Sequence, residues 1–163
     1  MRKLIITLIA LSATWSAANV ASGCGDKTMR VGGGLRFHQI EAKKNPSSVL
    51  IYSRALPEGK APKLQQFLKD VGHKANTVDR VDHISAALKN AHYDLVLTDL
   101  ADAADLQRQV ASVSPKTVVV PVTFKSDEAA AAKQYKVVVK NPKYAEDFLK
   151  AINQVMKARS KNV

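Results

Sequence analysis

The sequence predicts an α/β fold: a single doubly wound five-stranded parallel sheet, strand order 2-1-3-4-5, over residues 47–163. Three observations predict it. Short β-branched runs alternate with helical periodicity, and the runs are continuously apolar, as strands covered on both faces require. The chain has 163 residues, 46% hydrophobic and 24% charged, about one globular domain.

The strands are predicted at Val49-Leu50-Ile51-Tyr52, a weak Ala75 to Val78, Leu95-Val96-Leu97-Thr98, Val118 to Val122, and Val137-Val138-Val139. Between the first two, Leu64, Phe67, Leu68 and Val71 recur at helical spacing and stop at Gly72, a natural left-handed C-cap. Val81, Ile84, Leu88 and Ala91 outline a second helix after Asp79. Leu106, Val110 and Val113 outline a third, ending at Ser114-Pro115, with Asp102 as its expected cap. Ser126 to Gln134 holds Ala129 to Ala132 but no large apolar residue, so a fourth helix should be short and thinly packed. The last helix has Asn141 as expected N-cap, Pro142 at its first position, and Ala145, Phe148, Leu149, Ile152 and Met156 on one face.

Residues 1–23 read as an export signal. Arg2 and Lys3 precede the apolar run Leu4 to Leu11, and small residues follow to Gly23. A membrane-spanning anchor needs roughly 20 apolar residues, and Ser12, Thr14, Ser16 and Asn19 interrupt this stretch. The sole cysteine, Cys24, closes Ala21-Ser22-Gly23-Cys24, which resembles the lipobox of bacterial lipoproteins. That resemblance implies cleavage before Cys24 and lipidation of its thiol, each buried CH₂ contributing about 0.8 kcal/mol of membrane affinity. Gly25 rather than Asp implies, by the same resemblance, an outer-membrane destination. Ala21 stands where the lipobox carries Leu, Val or Ile, so ordinary signal-peptidase cleavage after Ala18 or Ala21 stays open. The expected location is a membrane-anchored lipoprotein of the periplasm or cell envelope, otherwise a secreted or periplasmic protein. A lone cysteine forms no internal disulfide.

Residues 24–46 read as a linker with a small docking element, formed by Leu35, Phe37 and Ile40. Gly32-Gly33-Gly34 lacks both a preceding strand and a following Gly-Lys-Ser/Thr, so it is not a phosphate-binding loop.

Tyr93-Asp94-Leu95-Val96-Leu97-Thr98-Asp99-Leu100 resembles the third strand of response-regulator receiver domains, which are flavodoxin-like. The resemblance spans about Ser47 to Arg159. It implies that Asp99 falls on the phosphoacceptor, Thr123 on the hydroxyl residue ending strand four, and Lys140 on the lysine ending strand five. In that family the lysine is followed directly by Pro; here Asn141 intervenes before Pro142.

The resemblance breaks at strand one. Receivers end it with two acidic residues, and this chain supplies Tyr52, Ser53 and Arg54 there. Phosphoryl transfer needs Mg²⁺, a hard cation held by oxygen ligands. Without the acidic pair, Asp99 is the only carboxylate ligand expected. A guanidinium nearby would repel the cation, since two unit charges about 4 Å apart interact by about 4 kcal/mol at an effective dielectric of about 20. No metal and no cofactor is therefore predicted. An exported domain would also lack the cytosolic ATP and histidine kinase of a phosphorelay. Asp99 is expected to be held by Arg54, Lys140 or both in a fixed ion pair, or else to stand solvated or cap the turn before Asp102.

The remaining constellations carry little chemistry. His38, His73, His83 and His92 lack metal-ligand spacing and are expected at the surface. Ser47, Ser48 and Ser53 lack a Gly-x-Ser-x-Gly elbow, so no nucleophile with its base and orienting acid can be assembled from the string. Asp94, Asp99, Asp102 and Asp105 are interleaved with apolar residues and lack the glycine of a Ca²⁺ loop.

Lys+Arg 25 against Asp+Glu 14 gives a net charge of +11, which favours anionic partners. Cleavage would remove only Arg2 and Lys3 from that excess. The lysines are dispersed, so most belong to solvated faces, with peripheral contact to an anionic envelope surface as a further use. Nucleic-acid binding is not predicted, because Tyr52, Tyr93, Phe67 and Phe148 occupy core-like positions rather than a stacking platform.

The sequence therefore predicts an exported, lipid-anchored, receiver-like domain without metal-dependent phosphotransfer. It would be a non-catalytic binding or scaffolding module whose partner is an unspecified protein or an anionic surface. Two alternatives are a genuine phosphoacceptor receiver in a phosphorelay and a small-ligand-binding or enzymatic domain using the crevice beside Thr98, Asp99 and Thr123.

Overall fold

The computed structural model describes residues 39–40, 42–43, 45–124 and 127–161. The expectations for the export signal, Cys24, the triple glycine, Leu35, Phe37 and His38 lie outside them. Strands β1 (Ser48–Tyr52), β2 (Lys74–Val78), β3 (Leu95–Asp99), β4 (Val118–Thr123) and β5 (Val139–Lys140) alternate with helices α1 (Lys60–Val71), α2 (Val81–Asn90), α3 (Leu100–Val113), α4 (Glu128–Gln134) and α5 (Ala145–Ser160). A 3-10 turn, Ser53–Ala55, follows β1. The sheet order is β2-β1-β3-β4-β5 and every pairing is parallel, as the sequence predicts.

Alternation along the strands sorts the core into two layers. Val49 and Ile51 of β1, Leu95 and Leu97 of β3, and Val120 and Val122 of β4 face Leu64, Phe67 and Leu68 of α1 and Phe148, Leu149 and Ile152 of α5. Leu50, Tyr52, Val96 and Val119 point the other way, onto Ile84 and Leu88 of α2 and Leu106 and Val110 of α3. Burying each such aliphatic or aromatic side chain contributes about 1.5–3 kcal/mol, which is why the strands read as unbroken apolar runs. Tyr52, Tyr93, Phe67 and Phe148 are all buried.

The ends of the elements show where local chemistry decides. Gly72 takes φ 115° and its amide donates to the carbonyls of Leu68 and Lys69, the left-handed cap expected after α1. Helix α4 is short and buries only Ala131 among its described residues. The apolar face of α2 is narrower than its spacing predicts: Ile84 and Leu88 are buried, whereas Val81 is exposed and Ala91 lies beyond the helix end.

Two boundaries differ from expectation. Strand β5 is Val139–Lys140 rather than 137–139, since only these two residues pair with Val122 and Thr123; Val137 is buried without joining the ladder. Asn141 is not the N-cap of α5. It adopts φ 39° and its amide donates to the Thr123 carbonyl at 2.7 Å, so it turns the chain away from the sheet. The helix starts three residues after Pro142, with Asp147 Oδ2 accepting the amides of Lys143 at 3.1 Å and Tyr144 at 3.2 Å.

Ahead of β1, Ala42 is buried, and a Cβ placed on Gly72 would lie 3.8 Å from its methyl. The Gln39 side chain donates to the Asp70 carbonyl at 3.1 Å. Ala42 thus makes the contact expected of Ile40, which is exposed. Among the described residues no helix is long and apolar enough to cross a membrane.

Candidate functional site

In a parallel sheet the carboxyl ends of the strands share one end of the molecule, and the strand order reverses between β1 and β3 there. That end brings together the residues singled out in the sequence. Tyr52 ends β1, and Ser53 and Arg54 form the turn beyond it. Asp99 ends β3, Thr123 ends β4 and Lys140 ends β5.

Asp99 serves two elements at once. Its Oδ1 accepts the Asp102 amide at 3.0 Å, satisfying an otherwise unpaired donor in the first turn of α3. Asp99, not Asp102, is therefore the N-cap. Of the arrangements expected for Asp99, the cap on the turn before Asp102 forms and the ion pair with Arg54 or Lys140 does not. Arg54 Nη1 lies 3.5 Å from Asp102 Oδ2, which sits one turn into the helix. That oxygen is buried and takes no hydrogen bond among the described residues, so the contact is purely ionic. Lys140 is exposed and forms no ion pair among the described residues.

The electrostatics follow from this arrangement. Burial, together with the Asp102 carboxylate, raises the Asp99 carboxyl above its ordinary value, while the Asp102 amide and Arg54 act in the opposite direction. The Arg54 guanidinium is held above its ordinary value by a hydrogen bond to the Tyr52 side chain and by the charges of Asp102 and Asp99.

Thr123 is buried and its hydroxyl points at the Val139 carbonyl at 3.4 Å, across the β4–β5 pairing. Thr98 Oγ1 is buried and has no hydrogen-bond partner among the described residues. Phe124 and Tyr144 are large, exposed side chains flanking β4 and α5 at this same end.

The donor set suits a divalent cation poorly. Mg²⁺ requires near-octahedral oxygen coordination. One oxygen of Asp99 is occupied by the helix amide, Asp102 faces Arg54, and the end of β1 adds a cation where a carboxylate would be needed. Among the described residues no group of three or more His, Cys, Asp or Glu side chains converges.

The opposite end holds a contact that no motif announced. Ser47 Oγ lies 2.8 Å from His73 Nδ1, and the Ser47 amide donates to the same nitrogen at 3.2 Å. His73 is buried rather than at the surface, and burial lowers its pKa by disfavouring the charged ring. A buried imidazole nitrogen that accepts a backbone amide fastens the start of β1 to the α1–β2 turn. Its partner serine is equally enclosed, which removes the pair from any role as nucleophile and base. His83 and His92 are exposed, as expected.

No protein-family model matches the chain, and no curated protein matches it. Solved structures do. The chain resembles the signal receiver domain of an HD domain-containing protein from Pseudomonas fluorescens Pf-5, with a TM-score of 0.58 and 19% identity, over 72% of this chain and 91% of that one. It also resembles a response regulator receiver protein from Burkholderia phymatum, with a TM-score of 0.51 and 21% identity, over 69% of this chain and 95% of that one. At these identities the likeness concerns the fold, and it agrees with the strand order and the helix placement described above. The chain thus has a receiver-like fold of the flavodoxin-like α/β class.

Proposed function

We propose that this domain is a non-catalytic binding or scaffolding module, exported and held at a membrane through Cys24, in which the receiver scaffold persists without metal-dependent phosphotransfer. The observation that carries the reading is the placement of Arg54. Its guanidinium stands at the end of β1 and faces Asp102 at 3.5 Å, in the region where phosphotransfer would need carboxylates around a cation. The partner is a protein that meets the carboxyl end of the sheet, where Phe124 and Tyr144 present apolar surface beside the charged groups.

The test is a magnesium titration followed by NMR, together with incubation in acetyl phosphate and intact-mass measurement. The expected result is no saturable magnesium binding and no phosphoryl adduct. Stoichiometric modification that disappears in Asp99→Asn would instead establish the phosphoacceptor reading, which the alignment of Asp99, Thr123 and Lys140 on adjacent strand ends favours. Mass spectrometry of the mature N-terminus tests the anchor separately. An acylated Cys24 supports it, and an unmodified terminus after Ala18 or Ala21 rejects it.

A further inference from the structure

Charge is unevenly divided between the two ends of the sheet. At the end where the strands begin lie the loops entering β2 to β5 and the last turns of the helices. Lys74, Lys89, Lys116, Lys133, Lys136 and Lys161 project there from different elements, and all six are exposed. Among the described residues of those loops and turns the acids are Asp70 and Asp94. Asp94 is already engaged: Oδ2 accepts the Ser48 amide at 2.7 Å and Oδ1 meets the Arg159 guanidinium, which also donates to the Lys116 carbonyl. At the other end, the first helical turns and the loops leading to them carry Glu58, Asp79, Asp82, Asp102, Glu128 and Asp147 among their basic residues. Acids at helix starts and lysines at helix ends follow the helix dipole. Lys74 opens β2, and Lys116 and Lys136 lie in the loops entering β4 and β5, outside any helix, so the dipole does not account for them.

The chain enters the domain at this basic end. Ala42 packs beside Gly72, and Ser47 precedes β1 with its carbonyl accepting the Lys74 amide at 2.9 Å. Residues 25–38 separate Cys24 from the first described residue, a reach of at most roughly 50 Å when fully extended.

We infer that the basic end of the sheet docks on an anionic bilayer surface, with the Asp99 end turned away from it. The inference rests on the reading that the chain is held at a membrane, and it adds the face and the orientation. A cluster of lysines within a Debye length of anionic headgroups is attracted collectively, each residue raising partitioning by roughly fivefold. The less basic end gains far less from the same surface. A tether that joins the domain at the attracted end lets both contacts form together.

The test uses the full chain carrying Cys24→Ser, so lipidation plays no part, and measures co-sedimentation with vesicles of equal parts phosphatidylcholine and phosphatidylglycerol. One variant combines Lys74→Gln, Lys116→Gln and Lys136→Gln; a second, of equal net charge, combines Lys60→Gln, Arg80→Gln and Lys143→Gln. Both must match the parent in circular dichroism and thermal unfolding, with single Lys116→Gln and Lys143→Gln variants as substitutes if either triple does not. The expected result is a loss of about a hundredfold in partitioning for the first triple at low salt and a much smaller loss for the second. Vesicles of phosphatidylcholine alone should not distinguish them. A first-triple loss no larger than that of the second, or no anionic-vesicle binding by the parent, overturns the inference. Failure of acylation at Cys24 leaves this result untouched, so the two claims fail separately.

Discussion

The Asp99 carboxylate accepts the amide of Asp102 at 3.0 Å, so one side chain closes β3 and opens α3. That side chain is part of the fold's own wiring. Asp99→Ala should therefore cost about 1 kcal/mol of stability, and Asp99→Asn far less, because asparagine also caps helices. Urea unfolding of both variants checks this.

The Asp99 carboxyl also carries a pH signature. Burial and the neighbouring Asp102 raise its folded pKa, so the folded state holds the proton more tightly than the unfolded chain does. Its contribution is complete below the unfolded value and is lost as pH rises through the folded one. Asp99→Asn cannot ionise. Its stability relative to the parent should rise with pH across the acid range and level off once Asp99 is ionised in the parent. Urea midpoints collected from acid to neutral pH measure the trend, and a flat difference contradicts it.

The Arg54 side chain is 62% exposed, so Arg54→Ala should change stability by less than about 1 kcal/mol. Arg54→Asp is more informative, because it replaces the cation facing Asp102 with a third carboxylate near Asp99 and Asp102. Magnesium should then raise the melting temperature of the variant and leave that of the parent unchanged, by mass action on the folded state. Thermal scans across a magnesium series decide the point.

The His73 pKa is lowered by burial, so the unfolded chain takes up the proton first as pH falls. Stability should drop as pH decreases below the ordinary histidine value of 6.5 and stop dropping below the folded pKa. His73→Gln should lose that pH dependence. At neutral pH it should cost about 1–3 kcal/mol if the Ser47 amide is left unpaired. Parallel denaturation curves on the two sides of the transition separate these effects.

The φ of 115° at Gly72 lies in the left-handed region, and the space around it is open except for Ala42 at 3.8 Å. Gly72→Ala should cost about 1–2 kcal/mol through backbone strain rather than a clash. Calorimetric unfolding of Gly72→Ala beside Ala42→Gly checks it: relieving the contact with Ala42→Gly should not rescue the double variant.

The sheet was legible where local pattern and tertiary burial agree. β1, β3 and β4 are apolar on both faces because helices cover both faces. The end of β5 was not, because Asn141 adopts a left-handed φ that glycine usually signals, and the helix cap beyond it comes from Asp147 instead of Asn141. At the site, Asp99, Thr123 and Lys140 do end β3, β4 and β5, and the Asp99 cap on the turn before Asp102 was one of the arrangements left open, but the partner of Arg54 was not legible. Whether Arg54 reaches Asp99 or Asp102 depends on the 3-10 turn after β1, which spacing alone does not encode. The Ser47–His73 contact joins residues 26 apart and leaves no periodic trace.

Both lateral margins of the sheet are unattractive templates for another chain. β5 offers a two-residue ladder ending in a lysine, and β2 exposes Lys74 and Asn76 along its outer border. A stray strand would find few amides to pair with at β5 and a positive charge at either border, so accretion of neighbouring molecules through backbone pairing is discouraged even when the protein is crowded at high local density.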